Sequence, residues 1–356
     1  MNIYQMFRAY GGMVFGRTDY WHPDMPANAE LTPGRVAKYP VAMGSKANYA
    51  GEFDSGAIPL VEIDGHLCHL PVTIAQWALG HYDEYVDHGG NLHQTTFLLA
   101  ADWLIDNLAE VRPGLWGWIN EHDKEIYALK APWLSALSQG QALSVLARAY
   151  LETKDRKYLA AGDKALRAFS VPGAEGGVQA MLEGGVFYEE YPSAIPSYVL
   201  NGFIFALWGL WEFFLAGGNS EAKALYEQGL ETLKKNVMRF DAGRLKWSLY
   251  DLYPFRVADI ASIFYHKLQI EQLRAMFLLS GEEVFTVVAR RWQKGRRSRL
   301  TYLLATVAKI RHKLSIRRQS SYVANQKSEV RGQRQTRGQR SEARGRKGNG
   351  GGRDFE

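Results

Sequence analysis

From Gln94 to about Arg299, apolar side chains recur at helical spacing, and polar turns cut the pattern roughly every 60 residues. A helix over 138–152 meets the turn Glu152–Asp155 and continues into a helix over 157–169. A second pair, 197–215 and 221–237, flanks Gly217–Ser220, and a third, 266–279 and 283–294, flanks Ser280–Glu283, where Ser280 and Glu283 have the spacing of a capping box. The two helices of the second pair differ. Val199, Phe203, Leu207 and Leu210 lie on one side of the first, while Leu200, Ile204, Trp208 and Trp211 fill another, so it is apolar nearly all round. Its partner sets Leu225, Leu230, Leu233 and Val237 against Glu227, Glu231, Lys234 and Lys235. Buried helices alternating with amphipathic ones predict an inner and an outer layer. The expected fold is therefore mainly α, an α/α barrel or toroid of helical hairpins, with its cavity where the inter-hairpin loops gather.

Residues 1–93 are rich in Gly, Pro, Tyr and Asp and are expected to be a β/loop-rich segment ahead of the barrel at 94–299. Residues 300–356 open with an apolar-basic stretch, Leu300–Ile316, that reads either as a basic amphipathic helix suited to anionic lipid or as plain solvated chain. They then run into Arg, Gly, Gln and Ser, the composition of a disordered tail. Charge sharpens this division. The tail holds 14 basic against 4 acidic residues, a net +10, so the overall +6 leaves −4 for residues 1–299. A basic pI therefore gives no reason to assign the globular part to nucleic acid. The single cysteine, Cys68, excludes an internal disulfide framework, and Met1–Tyr20 lacks the basic and apolar regions of a signal peptide. With no uninterrupted apolar run of membrane-spanning length, the expected location is cytoplasmic, with no membrane span.

The loops between hairpins carry the chemistry. Val186–Pro192 (VFYEEYP) precedes the second pair; Trp247–Tyr253 (WSLYDLY) and Phe264–His266 precede the third. If both loops lie at one end of the layers, Tyr188, Glu189, Glu190, Tyr191, Tyr250, Asp251, Tyr265 and His266 converge on one cleft. Alternation in an extended segment allows only one of Glu189 and Glu190 to face it. Each residue also has a plainer use as a packed tyrosine, a solvated glutamate or a capping histidine. Trp208 and Trp211 belong to the core by position, whereas Trp133 precedes a helix and suits the cleft mouth. There is no phosphate-binding glycine loop, no helical His-Glu-x-x-His pair and no nucleophile elbow; His66, Cys68 and His69 lack a partner cluster of metal-ligand spacing.

These stretches resemble the heparosan and heparan sulfate glucuronyl C5-epimerases: Val186–Phe203 (VFYEEYPSAIPSYVLNGF), Pro132–Tyr150 (PWLSALSQGQALSVLARAY), Ala100–Asn107 (AADWLIDN), Val72–Tyr82 (VTIAQWALGHY), and Tyr250-Asp-Leu252 with Tyr265-His266. The matches run in the family's order from about Tyr39 to Arg299. The resemblance implies an α-helical barrel and inversion of D-glucuronate to L-iduronate inside an anionic uronic-acid polysaccharide. The implied catalytic residues are Tyr191, Tyr250, Tyr265 and Glu190, with Asn201 and Trp133 at the substrate. No cofactor is implied, and a homodimer is compatible with the resemblance. The β-sandwich inserted in animal members is absent between His81-Tyr82 and Ala100. The arginine usual after Tyr-Asp-Leu is Tyr253, and the family's second histidine after Tyr-His is Gln269. Arg256, Lys246 or His266 is then expected to meet the substrate carboxylate. A polysaccharide lyase acting through the same carbanion, a glycosidase using Glu190 and Asp251, and a non-catalytic glycan-binding relative remain alternatives.

Overall fold

The computed structural model describes residues 19–316, and within them the fold is mainly α. Helices α1 (Pro71–His88) and α2 (Asn91–Asp106) form a hairpin, followed by α3 (Ala136–Thr153) with α4 (Lys157–Leu166). Next come α5 (Leu200–Gly217) with α6 (Ser220–Asn236), and α7 (Ile263–Ser280) with α8 (Glu283–Arg297). The first helix of each pair packs on the first helix of the next, α1 on α3, α3 on α5 and α5 on α7, and each second helix lies outside its own partner. The layering read from the hydrophobic pattern is thus present as a two-layered array of hairpins.

Small residues set the closest inner contact. A Cβ on Gly209 of α5 would lie 1.9 Å from the Gly140 carbonyl oxygen of α3, and one on Gly140 would lie 2.5 Å from Ala206 Cα. Across the same interface Arg148 is fully buried and grips Glu212 through two hydrogen bonds of 2.8 and 2.7 Å. Its Nε donates to the Ala37 carbonyl, tying the N-terminal segment to the inner layer. Helix α5 is long and apolar enough to cross a membrane, but 72% of it is buried inside this fold as a core helix.

The strands are short antiparallel pairs: β1 (Val61–Ile63) with β2 (His66–Cys68), β3 (Ala109–Arg112) with β4 (Leu115–Gly117), β5 (Ile119–Asn120) with β6 (Trp133–Leu134), and β7 (Gln179–Leu182) with β8 (Gly185–Tyr188).

Three expectations change. Among the described residues, α-helix begins at Pro71, inside the segment assigned to loops and strands. Proline at the first turn and Gly89 (φ +70°) at the end bound an 18-residue helix burying Ile74, Ala75, Ala78, Leu79 and Tyr82. The capping box at Ser280 does not form: Ser280 Oγ donates to the Met276 carbonyl and finishes α7, Gly281 turns left-handed, and Glu282 stands at the start of α8. At the other end, residues 299–316 form a helix, α9, as one reading of the apolar-basic stretch expected, but it docks on the fold instead of belonging to the tail. Ser298 caps it, accepting from Thr301 N, while Ala305, Lys309 and His312 lie buried along one face. Residues 317–356 of the expected tail lie outside the described residues.

Candidate active site

The site grows from the β7–β8 hairpin. Glu183 and Gly184 both take positive φ (+48° and +77°), the conformation a tight hairpin turn requires, and strand β8 delivers the chain to Glu189-Glu190-Tyr191. Tyr188 is buried, and its hydroxyl donates to the Leu225 carbonyl. The two glutamates then part, as alternation demands. Glu189 accepts hydrogen bonds from Ser197 N (2.9 Å), the Ser197 hydroxyl and Tyr198 N (3.0 Å), and so holds Tyr198 in a left-handed conformation (φ +52°). It is a structural carboxyl. Glu190 points the other way, toward the hydroxyls of Tyr191 and Tyr250, and accepts from Asn201 Nδ2 at 3.3 Å. Gly202 makes room for it: a Cβ there would lie 2.4 Å from Glu190 Oε2.

Backbone hydrogen bonds stitch the loops together at one end of the array. Ala136 N donates to the Glu189 carbonyl, Leu200 N to the Tyr250 carbonyl, Leu252 N to the Ser197 carbonyl and Tyr250 N to the Asp259 carbonyl. Ser262 caps α7 by accepting from Tyr265 N, placing Tyr265 in the first turn. The ring centroids of Tyr250 and Tyr265 are 4.8 Å apart and edge to face. Tyr191 stacks on Tyr127 at 4.9 Å and has Lys124 Nζ 4.7 Å above its ring. Together these side chains line a cavity of about 340 Å³, with His22, Asp259, Ser262, Lys309 and Lys313 completing the wall. That is the low end of small-molecule cavity sizes.

Burial dominates the electrostatics. It raises the Glu190 carboxyl to about 7; contacts with Tyr191, Lys124, Asn201 and Tyr250 pull the other way. It also holds the hydroxyls of Tyr191, Tyr250 and Tyr265 far above the ordinary tyrosine range, and the Glu190 charge adds to this. Asp251 is pushed to about 8 by burial and by Asp259, and accepts from the Tyr127 hydroxyl at 2.6 Å. Asp259 behaves oppositely: burial favours its neutral form, but His312 and Lys309 outweigh it and keep the carboxyl below its usual value.

The sequence candidates therefore separate. Tyr191, Tyr250, Tyr265 and Glu190 come together. Asn201 stands behind Glu190, and Trp133 is buried with its ring 5.7 Å from Tyr191, supporting that ring from behind. His266 is fully buried, stacked 3.8 Å on Trp247 and bonded through Nδ1 to the Ser248 hydroxyl at 2.8 Å; burial drives its pKa down to about 3, so it is a neutral structural group. Arg256 and Lys246 are exposed and are not among the side chains lining the cavity. Sequence reasoning passed over Lys124, Tyr127 and His22, which sit in irregular segments with no periodic or motif signal. It passed over Lys309 and Lys313 because their stretch was assigned to the tail.

Comparison with known proteins adds an independent line. Residues 114–294 match the family model described as D-glucuronyl C5-epimerase C-terminus. A D-glucuronyl C5-epimerase of Caenorhabditis elegans is 32% identical over 219 residues, covering 56% of this chain and 35% of that protein. An uncharacterized protein of Methanocaldococcus jannaschii is 32% identical over 181 residues, covering 50% of this chain and 57% of its own. The chain thus spans between about a third and somewhat over half the length of these relatives. The family match includes Lys124, Glu190 and the three tyrosines, and it ends before α9.

Proposed function

The chain belongs to the D-glucuronyl C5-epimerase family, and on that premise we propose that it inverts C5 of D-glucuronate to give L-iduronate within a heparosan-like polysaccharide. The observation that carries this reading is the grouping of three tyrosines around a single cavity, with the buried Glu190 carboxyl in contact with two of them.

The proton at C5 lies alpha to a carboxylate, so its removal leaves a carbanion that must be reprotonated on the opposite face by a second group. Burial keeps all three tyrosines protonated at rest. A protonated tyrosine can deliver a proton but cannot take one, so a base has to be generated in place. Glu190 meets that need. Its carboxyl, at about 7, is half-ionised near neutrality and interacts with both Tyr191 and Tyr250, and Tyr250 in turn interacts with Tyr265. The four groups form a connected relay. As the C5–H bond breaks, Tyr191 takes that proton while its own passes to Glu190. Tyr265 then protonates the carbanion from the other face and is resupplied through Tyr250 by Glu190. No net proton is gained or lost, and run backwards the same steps convert the other epimer.

Incubation with heparosan in heavy water tests the assignment. Deuterium at C5 in both glucuronate and newly formed iduronate is the expected result. Unsaturated ends absorbing in the ultraviolet would transfer the site to a lyase, and a folded protein giving no label would reduce it to glycan binding.

A further inference from the structure

Helix α9 lies outside the residues that match the family, yet it closes one wall of the tyrosine cavity. Its docking is specific. Ala305 packs with Trp247 and Ile260, and Tyr302 meets Trp247 edge to face at 6.1 Å. Lys309 pairs with the buried Asp259, and its ammonium lies 5.6 Å from the Tyr250 ring. His312 bonds the Val257 carbonyl through Nδ1 at 2.7 Å and lies 3.3 Å from Asp259 through Nε2. These contacts hold the loop 250–259 on which Tyr250 and Asp259 stand. They also set Lys313, one turn beyond Lys309, at the cavity rim.

Three lysines therefore face a cavity whose intended occupant is acidic. Only Lys309 is matched by a carboxylate; among the described residues, Lys124 and Lys313 have no carboxylate within 4 Å of their ammonium groups. Lys124 is half-buried over the Tyr191 ring, beside the place where charge develops when C5 is deprotonated. A carbanion next to an unneutralised carboxylate is strongly disfavoured, so a cation is needed there. The exposed Arg256 and Lys246 and the neutral, stacked His266 do not supply one.

Resting on the epimerase reading, we propose that α9 completes the active site as an anion-binding wall. Lys124 receives the carboxylate of the reacting uronate, and Lys313 receives the next acidic group along the polymer. Lys309 is a positioning residue, held by Asp259 to anchor the helix.

The test uses the full chain and a heparosan hexasaccharide, comparing Lys313→Gln, Lys124→Gln and Arg311→Gln; Arg311 is exposed on the same helix and does not line the cavity. Direct binding at two salt concentrations and C5 exchange in heavy water are measured on each. Lys313→Gln should weaken binding and raise KM by about three- to tenfold and flatten the salt dependence, with kcat little changed. Lys124→Gln should lower kcat on the order of a hundredfold. Arg311→Gln should match wild type. Equal losses in the Lys313 and Arg311 variants would mean diffuse attraction and would overturn the proposal, as would no loss in either lysine variant. Wild-type exchange with an unaffected Lys313→Gln sinks the anion wall and leaves the epimerase standing. Binding that depends on Lys313 without any exchange does the reverse.

Discussion

Replacing Glu190 by glutamine separates the proposed role of this carboxyl from its structural burden. The two side chains have nearly the same size, and the amide can still accept from Asn201. At pH 4, below the ordinary glutamate value, both forms are neutral and the variant and wild type should be equally stable. As pH rises, the unfolded wild-type chain ionises this glutamate near 4.5, while the folded protein retains the proton to about 7. The folded value is the higher one, so stability present below 4.5 is lost as pH climbs to 7 and beyond. At 1.36 kcal/mol per pH unit that gap corresponds to about 3 kcal/mol. Glu189, also raised to about 7 chiefly by its own burial and only in small part by the Glu190 charge, remains in both proteins and largely cancels from the comparison. Above pH 8 the variant should therefore be the more stable protein by about 3 kcal/mol, or on the order of 5–10 °C in Tm. It should nevertheless lose exchange at C5 by about 10²- to 10⁴-fold, together with the rising limb near pH 7 of the wild-type rate profile. Urea unfolding at pH 4, 7 and 8.5 alongside deuterium exchange measures both effects. A stability difference that does not change with pH, or a variant that still exchanges C5, would refute the reasoning.

Other perturbations test the frame that holds the site. Arg148→Met leaves the Glu212 charge buried without its partner and should destabilise the fold by about 3–5 kcal/mol, whereas pairing it with Glu212→Leu should recover most of that loss in denaturant titrations. Gly209→Ala puts a methyl 1.9 Å from the Gly140 carbonyl oxygen, a backbone atom, and should cost about 3 kcal/mol or more by the same measurement. In Gly202→Ala the added methyl meets the Glu190 carboxyl and its Cβ, so kcat should fall at least tenfold with a smaller proportional change in stability.

The layered hairpins were legible because burial writes itself into helices as a period. The all-round apolar face of α5 and the single stripe of α6 distinguish inner from outer helices directly in the sequence. The site was legible in part for a similar reason: strand alternation after β8 sends Glu189 and Glu190 to opposite sides, and only Glu190 reaches the tyrosines. Helix α1 was obscured by the glycine- and proline-rich stretch around it, although Pro71 and Gly89 mark its ends. His266 follows a catalytic candidate in sequence, but the helical turn carries it onto Trp247 and away from the cavity. Lys124, Tyr127 and the α9 lysines reach the site through loop geometry and long-range docking, which leave no periodic trace along the chain. The apolar-basic pattern of Leu300–Ile316 suggested the helix, but the basic composition beyond residue 300 hid its docking on the fold through Ala305, Lys309 and His312.

The central claim is that protons are handled on two faces of one sugar ring by Tyr191 and Tyr265. The most direct measurement follows C5 deuterium incorporation into pure glucuronate-form and pure iduronate-form oligosaccharides by Tyr191→Phe and Tyr265→Phe. Each variant should lose inversion, keep exchange with only one epimer, and do so for opposite epimers. Inversion surviving in either variant, or both variants retaining exchange with the same epimer, would contradict the account.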